Sequence, residues 1–143
     1  MLAIDLKYVR KWLGEFNEFI SDDELIQLIN NYNKNLKLSP IDHYEILMVL
    51  YESEIDENLK CIFNVLILKV LNRFKIIWTI DEICDGYTNL IQRKIEIINI
   101  QNFNKEEIVL NVFQELKNTN LNEINRNSLF FGLIVLLNDE IYG

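Results

Sequence analysis

Four acidic side chains, Glu52, Glu54, Asp56 and Glu57, fall within the run ESEIDE, and three more, Asp81, Glu82 and Asp85, follow after a long apolar stretch. Carboxylates at this density can hold a hard cation, move protons as acid and base, or present negative charge to a partner's Lys and Arg. ESEIDE also has a purely local reading. Asp56 suits the cap position of a helix, and acids in a first helical turn complement the helix dipole. The nearest approach to a metal motif is Asp81-Glu82-Ile83-Cys84-Asp85-Gly86, which starts like a calcium loop. It fails at its third position, Ile83, and its twelfth, Gln92, where oxygen ligands of the right kind are required. A carboxylate-based, metal-dependent enzyme is still the second expectation, because an all-oxygen site needs no histidine.

The other reactive residues point away from catalysis. His43 is the only histidine, and Pro40 stands three residues before it, so the paired Glu-x-x-His units of a di-metal bundle are missing. Leu47 and Leu50 follow His43 by one and two helical turns, which predicts a partly buried structural residue over a general base or pH switch. No GxSxG elbow and no suitable Cys and His pairing occurs, and Gly14, Gly86, Gly132 and Gly143 are isolated, so no phosphate loop exists. Cys61 and Cys84 lack a CxxC context and sit at apolar-leaning positions, where a reduced thiol behaves as a small hydrophobe. Lys94 lies on an otherwise apolar face and is explained by snorkelling from a helix edge. No cofactor is expected.

The formal charge of −8 and an isoelectric point near 4.7 would repel a phosphate backbone, so direct nucleic-acid binding is not expected. The same charge keeps a surface soluble and can steer a basic protein into contact.

The elements that must carry these residues read as helices. Half of the 143 residues are apolar, with one Pro and four Gly, which fits a single helical domain over residues 1–143. Ile and Asn each occur about 20 times, whereas Ala3 is the only alanine, so helix stability must come from burial more than from propensity. Such a composition reflects AT-rich coding and hints at a low-GC bacterium or a mobile element.

Apolar spacing predicts a first helix over 6–20, with Tyr8, Trp12, Phe16 and Phe19 forming an aromatic edge that faces the core. Ser21 and Glu24 form a capping box for a second helix, with Leu25, Ile26, Leu28, Ile29 and Tyr32 inside. Ser39-Pro40 starts a third, running to about Glu52. Leu59 to Phe74 is apolar nearly all round, which predicts a central buried helix too short and too punctuated with charge to cross a membrane. KIIWTI, residues 75–80, has strand-like composition and reads as a buried connector. Thr79 to Glu82 opens an amphipathic helix reaching Ile98, and Asn104 caps another. Residues 118–128 read as a loop or a short helical turn. LFFGLIVLL, within 129–141, reads as a second buried helix, with a strand paired to 75–80 as the alternative.

The fold expected is therefore all-α, an irregular bundle of about six or seven helices around 59–74. Helix starts near 5, 22, 40 and 57 make a short α-solenoid the runner-up, although no tetratricopeptide pattern is present. The N-terminus lacks a secretory signal pattern, which gives a cytoplasmic expectation. The function expected is a non-enzymatic acidic protein that masks a basic protein partner such as a toxin domain, through Glu52, Glu54, Asp56, Glu57, Asp81, Glu82 and Asp85. Bacterial immunity proteins are small, acidic and helical in this way; the likeness is one of size, charge and missing catalytic groups, without a shared motif. A third expectation is a structural subunit that uses the aromatic strip as an interface.

Overall fold

Helix caps set the boundaries of the architecture. The computed structural model describes residues 3–74 and 104–138, which contain six α-helices, one 3-10 turn and no strand. Helix α1, Leu6–Leu13, starts where the Asp5 carboxylate accepts the Tyr8 N–H at 2.9 Å. It stops at Gly14, whose φ of +52° is favourable only without a side chain, and the chain continues as a 3-10 turn, Gly14–Phe19. The single helix expected over 6–20 is thus divided, because glycine supplies a break that apolar spacing does not reveal. Arg10 closes the bend: its guanidinium donates to the carbonyls of Asn17 at 2.7 Å and Ile20 at 2.9 Å and pairs with Asp22.

Helix α2, Asp22–Lys34, begins with Ser21 Oγ accepting the Glu24 N–H. Leu25, Leu28, Ile29 and Tyr32 are buried as expected, whereas Ile26 lies on the exposed side. Helix α3, Pro40–Ser53, has a complete capping box. Ser39 Oγ accepts the Asp42 N–H, the Asp42 carboxylate accepts the Ser39 N–H, and Pro40 occupies the first turn. A three-residue turn folds α4, Glu57–Phe74, back against α3, with Asp56 Oδ1 accepting the Leu59 N–H at 3.0 Å. Helix α5, Lys105–Leu116, is capped by Asn104 as the sequence predicts. Helix α6, Glu123–Leu137, is capped by Asn122, which accepts the Asn125 N–H at 2.7 Å.

The stretch 129–137 is therefore helix, and the helix starts six residues earlier than its apolar run. Residues 123–128 are not a loop: the Asn122 cap starts the helix, and the Arg126 side chain fastens its first turns to the carbonyls of Leu116, Asn118 and Leu121. The segment 75–80 and the amphipathic stretch to Ile98, with Cys84 and Lys94, lie outside the described residues.

Two helices share the middle of the bundle. In α4, Ile62, Phe63, Leu66, Ile67 and Val70 are buried, in keeping with the central role expected of Leu59 to Phe74. Helix α6 is more completely enclosed, since every residue from Asn127 to Leu136 is buried and it packs against α1, α2, α3, α4 and α5. A solenoid, in which each unit touches only its sequence neighbours, cannot place its last helix against its first three. The crossing is closest at Gly132: a Cβ there would stand 3.1 Å from Leu66 Cβ and 3.5 Å from Leu47 Cδ1. No helix among the described residues is long and apolar enough to cross a membrane.

Candidate functional site

The turn joining α3 to α4 carries the first acidic group, and its local chemistry divides the four carboxylates into two kinds. Glu54 Oε1 accepts the N–H groups of Ile55 and Asp56, both at 3.1 Å, and Asp56 Oδ1 caps α4. These two side chains build the turn, as the local reading of ESEIDE requires. The side chains of Glu52 and Glu57 are exposed and make no hydrogen bond or ion pair among the described residues. Between them Ile55 is 91% exposed, held outward by the turn.

No positive charge neutralises this corner from within its own segment. Between Lys37 and Lys60 the chain carries six carboxylates, Asp42, Glu45, Glu52, Glu54, Asp56 and Glu57, and no Lys or Arg. Lys60 itself lies over the Tyr51 ring, 4.9 Å from its centroid. The corner is thus a negative surface with an aliphatic tip, suited to a ligand that combines positive charge with apolar area. Among the described residues no three His, Cys, Asp or Glu side chains come together to hold a metal ion, and the corner supplies no such ligand set. Asp81, Glu82 and Asp85 lie outside the described residues, so the two acidic groups are not placed relative to each other.

His43 is buried more deeply than expected, with 1% of its surface exposed. Its ring stacks on Phe131 with centroids 4.1 Å apart, and its Nδ1 shares a 2.9 Å hydrogen bond with Ser128 Oγ. Burial pushes its pKa down to about 4, with the neighbouring Asp42 charge opposing the shift only weakly, so the ring is neutral at ordinary pH. Both members of the pair are sealed in the core, out of reach of any substrate. Cys61 is half-buried. Of the aromatic strip, Phe16 is buried and Trp12 and Phe19 pack against the core, while Tyr8 is exposed and stacks on Trp12.

A cleft of about 430 Å³ opens between α2, α5 and the start of α6, lined in part by Leu28, Asn31, Phe113, Leu116 and Arg126. Its polar groups already hold the helices together. Arg126 donates to three backbone carbonyls, Asn31 donates to the Glu123 carbonyl at 3.0 Å, and Lys117 pairs with Glu24 at 3.6 Å.

The acidic run was readable from charge alone. The aliphatic members of the surface were not, because an apolar residue is assigned to the core unless its helical phase says otherwise. Ile41 and Val49 give that signal. On α3 they share a side with Glu45 and Glu52, opposite the buried His43, Leu47 and Tyr51. Compared with protein-family models, with curated proteins and with solved structures, the chain matches none.

Proposed function

We propose that this is a non-enzymatic binding protein that masks a basic protein partner through the acidic corner at residues 52–57, as immunity-type inhibitors mask a toxin domain. The observation that carries this reading is the pair of carboxylates, Glu52 and Glu57, unengaged among the described residues, on either side of the exposed Ile55. Exposed charge of one sign accelerates encounter with a partner of the other, while a central apolar group supplies contact area that charge alone does not. Binding there needs no catalytic group, which accords with a chain that has one histidine, now buried in the core.

The test is the association rate with a cationic protein domain that copurifies with it, ideally one encoded beside it. Raising salt from low to physiological ionic strength should slow association steeply, and the double variant E52Q/E57Q should slow it at low salt while leaving the melting temperature unchanged. A rate indifferent both to salt and to E52Q/E57Q would overturn the proposal.

A further inference from the structure

We infer that the binding surface extends from the corner along the whole outer face of α3, and that it receives a basic amphipathic helix of a protein partner. This inference rests on the acidic-corner reading and specifies its ligand. Ile41, Glu45, Val49 and Glu52 recur at helical spacing and are all exposed, at 47% for Ile41 and 63% for Val49, and Ile55 is exposed in the turn that follows α3. Two of the large exposed apolar side chains, Ile41 and Val49, therefore share one face of α3 with Glu45 between them and Glu52 beyond, and a third, Ile55, follows in the next turn.

The shape of the line selects the occupant. Residues 41 to 52 of a helix extend roughly 17 Å at about 1.5 Å per residue, enough to meet about three turns of a second helix. Side chains spaced by four form a ridge into which the groove of another helix packs. An extended peptide would need an exposed sheet edge to pair with, and the described residues contain no strand. Charge selects the composition: aliphatic side chains would cover Ile41, Val49 and Ile55, and Lys or Arg beside them would meet Glu45, Glu52 and Glu57. A second copy of this surface would set carboxylate against carboxylate, and an anionic membrane would be repelled in the same way.

The experiment titrates the full chain with two synthetic peptides of about 14 residues, long enough for three to four turns: an amphipathic Lys–Leu helix and oligolysine. Fluorescence anisotropy reads affinity, and backbone amide shifts locate the site. The inference expects the Lys–Leu peptide to bind more tightly than oligolysine and to shift amides over residues 41–57. It also expects the triple variant I41S/V49S/I55S to weaken only the Lys–Leu peptide, by roughly tenfold or more. All three positions are solvent-facing, and an unchanged melting curve verifies that the variant is folded. Equal affinity for the two peptides, lost in E52Q/E57Q but not in the triple variant, would overturn the stripe and leave the acidic corner standing. Failure of both peptides to bind would overturn both readings. A dimer of the protein alone that dissociates in the triple variant would show a second copy as the occupant, and would overturn the basic-helix assignment.

Discussion

His43 shows how one side chain can link the core to pH. Its ring must stay neutral to lie against Phe131 and share a hydrogen bond with Ser128. In the unfolded chain its pKa returns to near 6.5, so between about pH 6.5 and pH 4 the unfolded state binds a proton that the folded state refuses. Stability from this residue is therefore complete above pH 6.5 and falls as pH drops toward 4. A shift of this size corresponds to roughly 3–4 kcal/mol in full, at about 1.4 kcal/mol per pKa unit, most of it lost by pH 4.5. Urea unfolding at pH 7.5 and pH 4.5 should show that loss in the natural chain, and much less pH dependence in His43→Leu. The sequence identified His43 as structural from its spacing to Leu47, but Ser128 was not legible as its partner, since they are 85 positions apart. Local chemistry was far more readable: Ser21, Ser39, Asp56 and Asn104 cap the helices they were expected to cap, because a cap depends only on residues three positions away.

At the scale of elements, Gly132 sets how closely α6 crosses α3 and α4. The nearest atom to an added Cβ is itself a Cβ, Leu66, which cannot swing aside as the end of a side chain would. Replacing Gly132 with Val should destabilise the protein by at least ~2 kcal/mol through overpacking. Gly132→Ala should change stability less, because a helix-propensity gain of ~1 kcal/mol offsets part of the crowding. Chemical denaturation of the two variants measures both; a Val variant as stable as the natural chain would mean that the helices can separate. The two glycines also show why boundaries were only partly legible. Gly14 breaks a helix that apolar periodicity carries through to Ile20, whereas Gly132 lies inside one without interrupting it. Helix α3 illustrates the same ambiguity in its side chains: Leu47 and Val49 are both aliphatic, and only helical phase places the first in the core and the second in solvent.

At the scale of the molecule, the bundle depends on α6, which among the described residues packs against each of α1 to α5. Deleting residues 123–137 would expose the buried sides of α1 to α5 together. The truncated chain should lose its cooperative thermal transition by circular dichroism, while the full chain melts in one step. An intact cooperative transition without α6 would show that α1 to α4 form a core of their own. The all-α architecture was legible from helical periodicity and caps. The hub was not, because the burial of α4 and α6 both follow from near-uniform apolarity, and sequence alone does not say which of two such helices touches more neighbours.

The position of α6 in the chain also has a temporal consequence. A ribosome delivers α6 after all five helices it packs against. At about 5–20 residues per second, the 63 residues from Lys75 to Leu137 take roughly 3–13 s to synthesise. During that interval α1 to α4 exist as a nascent chain whose apolar faces await a covering helix, so the protein should depend on chaperones during translation far more than its finished surface implies.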